Sequence, residues 1–143
     1  MPVRPSLAFD CLKSVPLDKE RALAHITSLR PIWEWQSTLD YNKNPPPGYL
    51  SEAVDVFKGL DDIAGKLQSN PPGYANEFQF LTDLQVLQGR VRDAHFGSRS
   101  LLFDLWTTRW GKQFVSVSKD GLALPQIFLH GTRAILESRL FQI

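Results

Sequence analysis

The chain has 143 residues, of which 43% are hydrophobic and 11% are aromatic. A chain of this length is expected to fold as one domain that buries roughly two-thirds of its surface. Its 16 basic and 15 acidic residues leave a formal net charge of +1, which argues against a nucleic-acid partner because such a surface needs a basic excess. The chain lacks a run of roughly eighteen apolar residues, so we expect no membrane span.

Several kinds of binding site are excluded because the sequence lacks the residues that they need. Cys11 is the only cysteine, so neither an intramolecular disulfide nor a multi-cysteine zinc site can form. The three histidines are scattered, and there is no glycine-rich phosphate loop or dinucleotide fingerprint. We therefore expect no metal and no cofactor. Residues 1–5 lack the apolar core of a signal peptide, which predicts a cytoplasmic location for the chain as written.

The first part of the chain predicts helices separated by proline-rich loops. A helix is expected to begin near Asp18, a suitable N-cap, and Pro31 is expected to end it and open a second helix over residues 32–41. Residues 42–48 form a stiff loop. A helix over residues 52–68 is expected to bend near Gly59.

The pattern changes from helix to strand near Gly97. Before it, Asn76 caps a strongly amphipathic helix with apolar residues at Phe80, Leu81, Leu84, Leu87 and Val91. After it, residues 101–110 are rich in aromatic and β-branched types. Polar and apolar residues alternate over 114–118, which predicts a strand. Residues 119–121 predict a hairpin turn, and residues 122–129 predict the return strand. Residues 131–143 predict a short C-terminal helix. The predicted class is α+β: N-terminal helices, a small antiparallel β meander and a short C-terminal helix, in a single domain.

One histidine, His95, lies where the helical pattern ends and the strand pattern begins. Such junctions hold a side chain at an exposed edge, and a histidine can act as acid or base without a cofactor. On an extended segment Asp93 would share its face and could orient the imidazole. The alternative, that His95 only bonds a backbone carbonyl at the helix end, stays open.

Aromatic side chains could line an apolar pocket for an organic ligand, although core packing is the alternative for each of them. Arginines could hold a carboxylate or enolate oxygen, or could be solvated surface charges. The substrate-binding candidates are Trp35, Tyr41, Tyr49, Arg92, Trp106 and Arg109.

Several segments resemble one family in order and spacing. They are residues 7–16, residues 34–38 (Glu-Trp-Gln-Ser-Thr) leading into 45–49 (Pro-Pro-Pro-Gly-Tyr), residues 74–78 (Tyr-Ala-Asn-Glu-Phe), residues 93–96 (Asp-Ala-His-Phe) and the hairpin 114–121. From about Leu7 to Phe128 the chain resembles the N-terminal region of fungal tail-specific-protease-like serine peptidases. Those proteins are similar to the chlamydial protease-like activity factor and contain a PDZ-like module.

The resemblance implies a helical N-terminal domain in which the histidine matching His95 is the general base for a serine on a later domain. This chain has Arg92-Asp93-Ala94-His95 where the family tends to have His-Asp-Gly-His. The sequence as given includes neither the PDZ-like module nor the serine domain, and none of its serines stands in a Gly-x-Ser-x-Gly elbow. We therefore expect the chain itself not to cleave peptides. Relatives tend to be secreted.

Two hypotheses of function follow. The first is a cofactor-independent isomerase or cyclase of specialised metabolism, derived from a peptidase N-terminal domain and acting on a small organic substrate. His95 would be its acid/base, Asp93 the orienting group and the aromatic residues the pocket wall. The alternative is a non-catalytic protein- or peptide-interaction module, a remnant of a serine peptidase, that offers a sheet edge for strand addition.

We predict a homodimer built through the C-terminal region. Apolar residues there need a cover, and two-fold dimers are the commonest way to supply one. The residues concerned include Ile127, Leu129, Leu136 and Phe141. Sedimentation equilibrium tests this: twice the 16.2 kDa chain mass is expected, and the monomer mass at high concentration would refute the dimer.

Overall fold

A computed structural model describes residues 3–49, 51–107 and 113–130. The chain divides into two compact units, Met1–Trp106 and Thr107–Ile143, which are described separately below. The first unit is helical and the second contains an antiparallel pair of strands. The predicted α+β class is therefore confirmed, whereas the single domain stays a prediction.

The first unit has six helices within the described residues. They are α1 (Pro5–Lys13), α2 (Lys19–Trp33), α3 (Leu39–Lys43), α4 (Val56–Gln68), α5 (Glu77–Arg90) and α6 (Leu101–Asp104). The two predicted N-caps are confirmed. The Asp18 side chain accepts the backbone N–H of Arg21, and the Asn76 side chain accepts that of Gln79; both bonds satisfy a donor that has no partner within the helix.

The core forms where α2 packs on α4 and α4 packs on α5, while α1 packs on α5 from outside. Each of the three central helices buries one stripe of apolar residues, as the 3.6-residue period requires. The stripes include Ala22, Ile26, Leu29 and Trp33 in α2, Leu60, Ile63 and Leu67 in α4, and Phe80, Leu84 and Leu87 in α5.

Pro31 lies inside α2, so the predicted break there and the predicted helix over residues 32–41 are wrong. The helix continues to Trp33, and the N–H of Glu34 still bonds to the Arg30 carbonyl at 3.1 Å. Proline removes one hydrogen bond near the helix end, and the burial of Trp33, which is 2% exposed, offsets that loss.

Three other helix predictions need correction. Helix α1 was not predicted: no side chain caps it at Arg4, and none of its residues is buried. Helix α4 begins at Val56, where Asp55 caps it, and runs through Gly59 without a break. Residues 101–104 form helix α6 instead of extended chain, because the Ser100 side chain caps the N–H of Leu102.

The second unit contains strands β1 (Gln113–Val117) and β2 (Gln126–His130), paired antiparallel with Val115 opposite Phe128. The predicted hairpin is confirmed, but the return strand begins at Gln126 and not at residue 122. The Asp120 carboxylate accepts the N–H groups of Leu122 and Ala123, which lengthens the loop in place of a tight turn. The predicted C-terminal helix lies outside the described residues.

The two glycines of α4 provide a matched pair of stability predictions. A Cβ at Gly59 would collide with the Leu87 side chain of α5, whereas a Cβ at Gly65 would meet no atom of the described residues within 4 Å. Gly59→Ala is therefore expected to lower the free energy of unfolding by about 1–3 kcal/mol through overpacking. Gly65→Ala is expected to raise it by up to about 1 kcal/mol, because alanine favours helix.

Urea unfolding of the two variants and the wild type measures both effects. The opposite signs are the test, since helix propensity alone would stabilise both variants. An equal gain in both would show that α4 and α5 do not pack closely at Gly59.

Candidate functional site

The candidate site is the turn that follows α5. Arg92 leaves the helix with φ of 56°, a left-handed conformation that is uncommon outside glycine and turns the chain sharply. The N–H of Phe96 then bonds to the Asp93 carbonyl at 3.1 Å, which closes a β-turn. Phe96 is buried against Trp33, with ring centroids 4.7 Å apart. The turn is therefore fixed to the end of α2.

Asp93 and His95 lie together on this turn. Asp93 Oδ1 accepts the backbone N–H of His95 at 2.8 Å and lies 3.5 Å from His95 Nδ1. The His95 side chain is 97% exposed and that of Asp93 is 31% exposed. The pattern of the sequence predicts this pairing on an extended segment before a strand. The structure produces it through an Asp-capped turn before α6.

Gln36 is a further residue of this site that was not predicted from the sequence. Gln36 Nε2 donates to Asp93 Oδ2 at 2.8 Å, across 57 residues of sequence. Accepting the N–H of His95 and the amide of Gln36 lowers the pKa of Asp93, because both donors favour the charged form. Asp93 is therefore an ionised carboxylate beside the imidazole at neutral pH.

The other predicted site residues are spread over the surface. Trp35 is 91% exposed, and Tyr41 and Tyr49 are more than half exposed and contact each other edge to face. Trp106 is half-buried, with its indole nitrogen enclosed and without a hydrogen-bond partner among the described residues. Arg92 is exposed, and Arg109 lies outside the described residues. The structure thus joins Asp93 to His95 and Tyr41 to Tyr49, without enclosing these aromatic rings in one pocket.

Two cavities lie near this turn and along α5. A hollow of about 310 Å³ beside Asp93 is lined also by Arg92 and Phe96. A separate apolar groove of about 670 Å³ runs between α2, α5 and α6. Gln85 and Gln88 line both of them.

The groove contains two titratable groups that the sequence analysis left out of the site. Burial raises the pKa of Glu77 and lowers the pKa of His25, because desolvation disfavours either charge. Glu77 Oε2 is enclosed and has no hydrogen-bond partner among the residues that the structure describes. Neither residue stands out in the sequence as a site residue, because both lie on helices among apolar positions.

The described residues contain neither a metal site nor a membrane-spanning helix. No three histidine, cysteine or carboxylate side chains there lie close enough to hold a metal ion. No helix there combines the length and the apolar character needed to cross a bilayer.

Comparison with known proteins gives two relatives. The peptidase S41 family proteins phomP1' and phomP1 of Diaporthe leptostromiformis are 32% and 31% identical to this chain over 104 residues. The chain carries a region homologous to part of these fungal peptidases. The match covers 73% of this chain but only 15% of either relative. No protein-family model and no solved structure matches the chain.

The similarity supports the derivation from a peptidase that the sequence motifs predicted. The tail-specific and PDZ-like features of that resemblance stay predictions.

Glu77 gives a prediction about pH. Because its pKa is raised in the folded state, the folded protein binds this proton more tightly than the unfolded chain. The resulting stability is fully present below the ordinary glutamate pKa of about 4.3, and it is lost as the pH rises through the raised value. Glu77→Gln, which stays neutral, should therefore gain stability relative to the wild type between acidic and neutral pH.

Urea unfolding at acidic pH and at neutral pH measures how much more stable Glu77→Gln is than the wild type. Glu20→Gln is the control, because Glu20 is an exposed glutamate in the first turn of α2. If the Glu77→Gln and Glu20→Gln variants show the same pH dependence, the carboxyl of Glu77 is not desolvated.

Proposed function

We propose that this chain is the histidine-bearing region of a serine peptidase of the S41 type. In this proposal His95 is the general base for a serine that lies outside the described residues. The observation that carries the proposal is the exposed imidazole beside an ionised carboxylate, on a turn fixed to a packed helical core. The homology to fungal peptidases supports it.

The geometry fits the chemistry of a general base. A carboxylate beside Nδ1 favours the tautomer with the proton on Nδ1 and stabilises the imidazolium that forms. Nε2 is then free to take the proton from the serine hydroxyl and later to give it to the leaving amine. The exposure of His95 leaves room for a second module to bring its serine within hydrogen-bond distance.

A cofactor-independent isomerase or cyclase is the second candidate. The hollow beside Asp93, bordered by Arg92, favours it, because a small organic anion could lie there next to the carboxylate that contacts His95. The exposure of His95 and of three of the four proposed aromatic residues argues against it, because such an enzyme needs its substrate enclosed. The non-catalytic protein- or peptide-interaction module stays the alternative, and the homodimer stays a separate prediction.

A chimaera separates these proposals. The matched region of phomP1 is replaced by the corresponding region of this chain, and labelling by a fluorophosphonate probe and peptide hydrolysis are measured. His95→Ala in the chimaera is expected to lower the rate by about a thousandfold or more, as loss of a triad base does. The melting temperature should stay nearly unchanged, because His95 is exposed.

His25→Gln is the matched control, because it changes a histidine of the groove and should keep the activity. Undiminished labelling of the His95→Ala chimaera would refute the proposal. The isolated chain should not be labelled. If the isolated chain instead turns over an organic substrate, and His95→Ala abolishes that turnover, the second candidate is correct.

A further inference from the structure

Gln36 links the end of α2 to the candidate site. Its side chain is partly buried in the segment between α2 and α3. Nε2 donates to Asp93 Oδ2 at 2.8 Å and to Thr38 Oγ1 at 2.7 Å. A primary amide carries two N–H donors, so both are used in these bonds.

The bond from Gln36 determines how the Asp93 carboxylate is oriented. Asp93 Oδ1 accepts the backbone N–H of His95, and Oδ2 accepts the amide of Gln36. With a donor on each oxygen the carboxylate cannot rotate about its terminal bond without losing a charge-assisted hydrogen bond. Oδ1 is therefore kept on the side of His95 Nδ1.

We propose that Gln36 is a positioning residue for His95. It acts through Asp93, holding the carboxylate so that His95 keeps its proton on Nδ1 and presents Nε2 to the serine hydroxyl. The catalytic consequence rests on the proposed function, but the positioning itself is a property of the isolated chain.

Gln36 is separable from the contacts that hold the turn in place. Phe96 packs on Trp33, and both rings are buried, so apolar contact fixes the backbone of the turn. Replacing Gln36 should therefore change the orientation of Asp93 and His95 while leaving the fold in place. Replacing a residue with a purely structural role would destabilise the fold and leave the orientation of Asp93 and His95 unchanged.

The test uses nuclear magnetic resonance on the isolated, isotope-labelled chain. In alkaline buffer, where an ordinary imidazole is neutral, ring ¹⁵N shifts report the tautomer of His95. The wild type is expected to be mainly the Nδ1–H tautomer, and Gln36→Leu to shift toward Nε2–H. The pKa of Asp93, followed by its carboxyl ¹³C shift, is expected to rise in Gln36→Leu because a donor to the carboxylate is lost.

Two controls and a second variant accompany Gln36→Leu. Thr38→Val removes the other acceptor of the Gln36 amide and should leave the His95 tautomer as in the wild type. Gln68→Leu replaces an exposed glutamine at the end of α4 and should change neither readout. Gln36→Met keeps the length of the side chain without a donor and should give the same result as Gln36→Leu. If Gln36→Leu does not fold, the test uses Gln36→Met.

The outcomes separate this proposal from the proposed function. An unchanged tautomer and an unchanged pKa of Asp93 in the Gln36 variants would overturn the positioning role. In the chimaera, Gln36→Leu is expected to slow fluorophosphonate labelling about tenfold, the effect of one lost hydrogen bond to a charged group. A shifted tautomer with undiminished labelling would overturn its catalytic relevance. A shifted tautomer with no labelling of any chimaera would support positioning and refute the peptidase proposal.

Discussion

The contact between Phe96 and Trp33 is the interaction on which the candidate site depends. Both rings are buried, at 8% and 2% exposure, and Trp33 is the last residue of α2. An aromatic pair of this kind contributes burial and a preferred geometry together. Trp33 reaches this position only because α2 continues through Pro31, so the site is built on a helix that tolerates a proline near its end.

Apolar and polar contacts have different roles at this turn. The Phe96–Trp33 packing holds the backbone, while the left-handed Arg92 directs the chain out of α5. The hydrogen bonds from Gln36 and from the His95 backbone then orient the Asp93 carboxylate. Because one oxygen of Asp93 is held by the turn and the other by Gln36, the orientation of the carboxylate depends on tertiary packing and not on the local turn alone.

That dependence explains which parts could be predicted from the sequence. The stripe of α5 and the caps at Asp18 and Asn76 follow from local pattern, and these predictions were confirmed. The continuation of α2 through Pro31 depends on the burial of Trp33, which local sequence patterns do not predict. The nearness of Asp93 and His95 was expected from extended geometry, but it arises from an Asp-capped turn. Gln36 lies 57 residues from Asp93, so only the fold could bring it to the site.

The causes of the pKa shifts distinguish the turn from the groove. In the groove, burial shifts the pKa of Glu77 up and of His25 down, so the protein disfavours the charge of both groups. At the turn, hydrogen-bond donors shift the pKa of Asp93 down, so the protein supports that charge with partners placed for it. A general base needs a charged neighbour that stabilises the imidazolium it becomes. The turn supplies such a neighbour, whereas the carboxyl of Glu77 favours the neutral form, and for this reason His95 is the histidine proposed as the acid/base.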